Sequence, residues 1–182
     1  FGKTVTAAAI IARRGVNTLV LVHRTELLKQ WQERLQAFLG VGKGVVGTIG
    51  GGKAKPTGKI DIAVMQSVSR QGEVNPLVEN YGQVIVDECH HVGAVSFDAI
   101  LKRTKAKYVL GLTATPIRRD GQQPIIFMQC GSIRYTAASP AGAPHDLEVL
   151  PRSRFTCIDL STDAGIQDVF RHLANDQART ES

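Results

Sequence analysis

Gly2-Lys3-Thr4, running straight into a helix-forming stretch, is the first place where residue types and spacing add up to chemistry. The tripeptide ends a G-x-x-x-x-G-K-[ST] pattern, a loop that cradles phosphate groups. Glycine at position 2 lets backbone approach an anion. The N–H groups that open the following helix, with the helix dipole behind them, attract negative charge. The Lys3 ammonium can reach β- and γ-phosphates, while the Thr4 hydroxyl can coordinate Mg2+. A second element is Val84-Ile85-Val86-Asp87-Glu88-Cys89-His90, an apolar run that delivers two adjacent carboxylates. At the C-terminal edge of a parallel sheet, where ligands collect, one carboxylate can hold Mg2+ through its water shell. The next can orient and deprotonate an attacking water. Leu112-Thr113-Ala114-Thr115-Pro116 is the third element, its hydroxyls on a turn that begins 25 residues after Glu88. Each of the three has a bland explanation by itself, as a chance tripeptide, an acidic strand end and ordinary turn chemistry. Three phosphate-type features in this order are much harder to dismiss.

Two other stretches imitate phosphate loops and are rejected. Gly40-Val41-Gly42-Lys43-Gly44 and Gly50-Gly51-Gly52-Lys53-Ala54 lack Ser or Thr after the lysine, and neither opens a helix. Eight of the 18 glycines fall between Gly40 and Gly58, which reads as flexible turns flanking a strand. Cys89, beside two histidines, is read as a packed spacer and not as a nucleophile. His90 and His91 have no second ligand cluster, so zinc is not expected. Trp31 reads as core, packed from an amphipathic helix, in preference to a base-stacking platform.

The chemistry needs elements to position it. Ala7 to Arg14 reads as a helix, and Thr18–Val22 as a strand buried on both faces. Thr25 offers an N-cap hydroxyl to a helix whose apolar residues run from Leu27 through Trp31 to Leu39 and which Gly40 stops. Val45–Ile49, Ile60–Met65, Gln83–Val86 and Tyr108–Leu112 are further strands, with Ala94–Arg103 a helix between the last two. Strands alternating with helices predict βαβ units: an α/β, three-layer fold around a mainly parallel central sheet. Beyond Pro116, Ser132–Thr136 and Arg154–Leu160 read as strands, separated by the small-residue loop Ala137–Pro144. Ile166, Val169, Phe170 and Leu173 share a helical face. This predicts one domain over 1–136 and a C-terminal extension or connector over 137–182.

Composition bounds the rest. The 182 residues, 43% apolar and 21% charged, suit about one globular domain. No run of 18 apolar residues and no signal-like N-terminus occur, so the expectation is a soluble, cytoplasmic protein without a membrane partner. Three widely spaced cysteines form neither a disulfide framework nor a CxxC metal site. Residues 1–60 carry ten Lys/Arg against two Glu, and residues 61–182 carry twelve against fourteen acids. The whole basic excess therefore sits in the first third, which suggests a surface facing a polyanion.

With these residues on the page, the chain resembles the first RecA-like domain of superfamily 2 helicases and translocases, the DEAD/DEAH-box class of P-loop NTPases. Gly2-Lys3-Thr4 matches the end of motif I, Asp87-Glu88-Cys89-His90 motif II in its DECH form, and Thr113-Ala114-Thr115 motif III. Val22 to Trp31 is similar to motif Ia, and Ala63 to Val68 to the strand-contacting motif that precedes motif II. The nearest subgroup is the restriction-motor and repair-helicase-like branch, and the likeness covers about residues 1–135. The resemblance implies that Gly2, Lys3, Thr4 and Asp87 bind ATP, that Thr4 and Asp87 hold Mg2+, and that Lys3 stabilises the transition state while Glu88 is the general base. It implies that His90, Thr113 and Thr115 couple the nucleotide site to the track, and that Arg24, Thr25, Gln66 and Ser67 contact a nucleic-acid backbone, DNA ahead of RNA. The first loop glycine, the strand before it and a second RecA-like domain are not among these residues. A domain from a larger motor, holding half of an ATPase site and hydrolysing little by itself, is therefore expected. The alternatives are a P-loop ATPase that does not act on nucleic acid and a catalytically silent binding scaffold.

Overall fold

A computed structural model describes residues 2–70, 72–91, 94–114 and 123–137. Apart from Ala137, these belong to a compact unit spanning Phe1–Thr136. Helix α1 (Lys3–Arg14) leads into strand β1 (Thr18–Val22) and helix α2 (Glu26–Leu39). There follow β2 (Val46–Gly50), β3 (Lys53–Lys55), β4 (Ile60–Val64), the single turn α3 (Met65–Val68) and a small hairpin, β5 (Ser69–Arg70) with β6 (Glu73–Val74). Strand β7 (Gln83–Asp87), helix α4 (Ala94–Arg103), strand β8 (Tyr108–Leu112) and helix α5 (Gln123–Cys130) complete the described elements.

The main sheet has the order β3-β2-β4-β1-β7-β8, parallel throughout except for the β2–β3 hairpin at one edge. Strands β1, β4 and β7 lie in its middle and are buried at every position, as their nearly unbroken apolar sequences require. Successive side chains point to opposite faces. Leu19, Leu21, Ala63, Val84 and Val86 therefore join Phe97 and Ile100 of α4 and Ile126 of α5 on one side. Val20, Val22, Ile62, Val64 and Ile85 join Ala7 and Ile11 of α1 and Leu28, Trp31 and Leu35 of α2 on the other. Helix, sheet, helix is the expected three-layer α/β arrangement.

The register carries the functional geometry. Val22 stands opposite Val64, Leu21 opposite Val86, and Asp87 opposite Leu112. These four of the five parallel strands thus end in one row, and the chain leaves each of them on the same edge of the sheet. Period-two alternation also puts Asp87 on the face of Ile85, toward α2.

Four sequence expectations change. Thr25 has helical dihedrals (φ −64°, ψ −33°) and its hydroxyl caps nothing, because an N-cap needs extended backbone. The turn starts earlier, with the Leu27 N–H reaching the Arg24 carbonyl and the Leu28 N–H that of Thr25. Met65 is not the end of a strand but the start of α3. Lys53–Lys55, read as turn, is an exposed edge strand beyond the tight Gly51-Gly52 bend. Ser132–Thr136 is not a strand: it is exposed irregular backbone, with Ile133 and Tyr135 facing solvent. Helix α5 had no counterpart in the sequence reading. It packs on β8 at Gly111, where a Cβ would come within 3.1 Å of the Cys130 sulfur and 3.2 Å of the Cys89 sulfur. The strand and helix expected after residue 150 lie outside the described residues.

At the opposite end of the sheet, Asp61 is fully buried (0% exposed) and accepts hydrogen bonds from the Thr57 and Gly58 N–H groups, the Thr57 hydroxyl and the Tyr81 hydroxyl. Burial, then the bond to Asp61 and its charge, hold the Tyr81 phenol above its ordinary pKa. Asp61→Ala takes the shared acceptor from four donors and should cost about 3 kcal/mol or more, and Tyr81→Phe about 2 kcal/mol, read as shifts in urea midpoint. A phenol pKa raised by folding contributes stability below its unfolded value and loses it above. The wild type should therefore weaken as pH climbs past about 10, and Tyr81→Phe should weaken less over that window.

Candidate functional site

Helix α1 begins at a left-handed glycine. Gly2 has φ 68°, and the Thr6 N–H bonds its carbonyl at 2.9 Å, so the first helical turn forms directly at Lys3 and Thr4. A side chain at position 2 would be strained there, which accounts for the glycine. The dipole end of α1 and its first N–H groups thereby face the edge of the sheet at which β7 ends.

From β7, Asp87 points into the layer occupied by α2. It is nearly buried (7% exposed), and its Oδ2 accepts the Trp31 indole N–H at 2.8 Å. Its Oδ1 accepts the backbone N–H of Glu88 at 3.0 Å. Glu88 itself sits at φ 47°, the one non-glycine residue with positive φ among those described. Such a conformation costs about 1–2 kcal/mol and clusters at functional sites. The bend turns the Glu88 carboxylate toward α1, where it pairs with the Lys3 ammonium. His90 Nδ1 lies 2.6 Å from the Thr113 hydroxyl and 3.4 Å from Glu88 Oε2. One imidazole nitrogen thus faces both the second acidic residue and the turn after β8.

Gly2, Lys3, Thr4, Asp87, Glu88 and His90 line a single cavity of about 810 Å³. A neighbouring cavity of about 960 Å³ is lined by Arg24, Thr25, Gln66 and Ser67, and His23 and Arg24 belong to both. The structure therefore brings together the expected site residues in two adjoining groups; Thr115 lies outside the described residues. Cys89 is buried and its thiol is pushed up to about 11, first by desolvation and then by the neighbouring carboxylates, so it stays protonated at neutral pH. It is a packed spacer, as its sequence context suggested.

The donor set also bears on metal type. Among the described residues no group of three or more His, Cys, Asp or Glu is arranged to hold a metal ion. One carboxylate and one hydroxyl at the mouth of a helix N-terminus suit a hard cation that keeps several waters and takes its remaining ligands from phosphate. Mg2+ accompanying a nucleotide is a cation of that kind.

Sequence reasoning missed what α2 contributes. Gln30, Trp31, Arg34 and Phe38 line the first cavity, and Arg34 Nη1 approaches the Thr4 hydroxyl at 3.5 Å. A signal was there: a buried tryptophan needs an acceptor for its N–H, and the row of strand ends offers carboxylates.

Comparisons with known proteins identify the family. Residues 1–118 match the model of the type III restriction enzyme res subunit family, ResIII. The probable helicase D10 of Escherichia phage T5 is 34% identical over 123 residues, 68% of this chain and 26% of that protein. The Mycobacterium tuberculosis DNA 3'-5' helicase XPB is 33% identical over 142 residues, covering 75% and 26% respectively. The chain thus spans about a quarter of the length of these relatives. Among solved structures, the Pyrococcus furiosus Hef helicase domain superposes with a TM-score of 0.59 at 23% identity, over 74% of this chain and 32% of that one. The bacteriophage T4 UvsW helicase does so with 0.59 at 18% identity, over 70% and 48%. Among the described residues no helix is long and apolar enough to cross a membrane. Fold, family match and curated relatives converge: the chain belongs to the type III restriction enzyme res subunit family and carries a RecA-like domain of the superfamily 2 helicase kind.

Proposed function

We propose that this chain is the N-terminal, ATP-binding half of an ATP-dependent helicase or translocase that couples Mg-ATP hydrolysis to movement on DNA, with RNA the second choice. Residues 1–136 form its first RecA-like domain in this reading, and residues 137–182 lead toward a second one. The observation that carries the proposal is the pair of adjoining cavities, one lined by phosphate-type residues and one by basic and hydroxyl side chains, joined through His23 and Arg24. Two relatives support DNA over RNA through their own names, the M. tuberculosis DNA 3'-5' helicase and the Sulfurisphaera tokodaii DNA 3'-5' translocase XPB2.

In this reading the N–H groups at the start of α1 and the Lys3 ammonium hold the β- and γ-phosphate oxygens. Thr4 and Asp87 hold the Mg2+ that arrives with ATP, which supplies neutralisation of charge building on the phosphates. A phosphate competing for the Lys3 ammonium draws it away from Glu88. The freed carboxylate then takes a proton from the attacking water. His90, lying between Glu88 and Thr113, passes any shift of the turn after β8 to the base. On the track side, Arg24, Thr25, Gln66 and Ser67 hold backbone phosphates without reading bases, as a motor requires. No residue from the described unit supplies an arginine finger in this scheme; the second domain provides it.

In the full-length protein, Glu88→Gln keeps the side chain's shape and removes the base. ATP binding should persist while turnover falls by about 10² or more. Lys3→Ala should weaken nucleotide binding and turnover together. A steady-state ATPase within about twofold of wild type for Glu88→Gln would show that the base lies elsewhere.

The track has its own test, fluorescence anisotropy of labelled single-stranded DNA at several salt concentrations. Binding should be independent of sequence, and Arg24→Ala should lower the magnitude of the log–log salt slope by about 0.7, the loss of one phosphate contact. An unchanged affinity and slope would remove Arg24 from the track and leave the basic first third as a merely solvated surface.

A further inference from the structure

Helix α2 starts in one cavity and ends in the other. Its first turn follows Arg24 and Thr25 of the basic groove, and two side chains one turn apart, Trp31 and Arg34, lie on a common face toward the phosphate-type cavity. Each of them approaches one of the two residues proposed to hold Mg2+: Trp31 bonds Asp87, and Arg34 comes near Thr4. The Trp31 contact is the stronger, at 2.8 Å and with donor and acceptor both buried. Trp31 is 3% exposed and packed among Val20, Val22, Ile62 and Leu28, so its ring has no freedom to turn its N–H elsewhere.

A carboxylate has about four lone-pair sites. At Asp87 the Trp31 N–H and the Glu88 N–H each occupy one, on different oxygens, which fixes the plane of the group. Asp87 also lines the cavity. Donors of this kind orient a ligating group and stabilise its ionised form, and their removal costs about 10- to 100-fold in metal affinity or activity.

Resting on the assignment of Asp87 to the metal, we infer that Trp31 is a positioning residue for the nucleotide's divalent cation, acting through its indole N–H on the Asp87 carboxylate. Trp31 touches neither phosphate nor water in the reaction. It sets the orientation of the group that holds the ion, and it does so from the helix whose first turn borders the DNA groove. A movement of α2 when the groove fills is then felt at Asp87 through one hydrogen bond.

The test measures the metal's share of nucleotide binding in the full-length protein. The affinity for a methylanthraniloyl-labelled ATP is determined with saturating Mg2+ and again in EDTA, and the ratio of the two is the readout. Asp87→Asn should lower the ratio. Trp31→Phe should lower it about tenfold with the EDTA affinity unchanged, and should add nothing in an Asp87→Asn background. Replacing Trp31 by benzothienylalanine, which keeps the bicyclic shape without the N–H, should reproduce the Phe result and decides the matter if the Phe variant does not fold. An unchanged ratio in both Trp31 replacements, with Asp87→Asn still lowering it, overturns this inference and spares the metal assignment. An equal loss of affinity with and without Mg2+ means that Trp31 only supports the fold, and also overturns it. No effect of Asp87→Asn overturns the metal assignment and this inference with it.

Discussion

The parallel pairing of β1 with β4 on one side and β7 on the other fixes where the candidate groups that follow these strands stand. Because the strands run the same way and in step, Val22, Val64, Asp87 and Leu112 end in one row. The segments that follow them open on a common edge. The basic and hydroxyl residues after β1 and β4, the acidic pair at the end of β7 and the threonine after β8 meet there although they are far apart in sequence. Register is strict because both faces are buried. A one-residue slip of β7 would exchange Ile85 and Val86 between the two cores and swing Asp87 away from α2. Packing energy distributed over the whole sheet thus specifies the direction of one carboxylate.

Two buried aspartates at opposite edges of this sheet show how the same residue type is put to different ends. Asp61, near the start of β4, is surrounded by four donors from Thr57, Gly58 and Tyr81 and is closed to further ligands. Its work is to staple the loop before β4 to the core. Asp87, at the end of β7, has two donors and a cavity in front of it. The difference arises from position along the strand. Chain ends at the amino edge of a parallel sheet turn tightly and supply backbone N–H groups, whereas the carboxyl edge opens between strand and helix.

Much of this was legible in the sequence because the signals were strong and local. Unbroken apolar runs marked β1, β4 and β7; Gly40 marked the end of α2, where it takes φ 63°; and residue order alone tied Lys3, Thr4, Asp87 and Glu88 to one another. The misses have physical reasons. The Lys53–Lys55 strand has no apolar alternation, because an edge strand pairing on one side needs none. Gln123–Cys130 lacks an amphipathic stripe, so a helix there left no periodic trace. Ser132–Thr136 did alternate, yet alternation makes a strand only where a partner ladder exists. The role of Trp31 was hidden for another reason. Its burial was expected, but the acceptor for its N–H is 56 residues away and becomes visible only once β7 is packed on α2.

Trp31 is also the single tryptophan of these 182 residues. An indole's emission shifts with the electric field along its ring, and here a carboxylate lies in line with the ring N–H, inside an otherwise apolar layer. The chain therefore contains a native optical probe whose colour reports the surroundings of the Asp87 carboxylate. The probe sits on the helix that borders the basic groove, so light absorbed at one place in the molecule reads events at two.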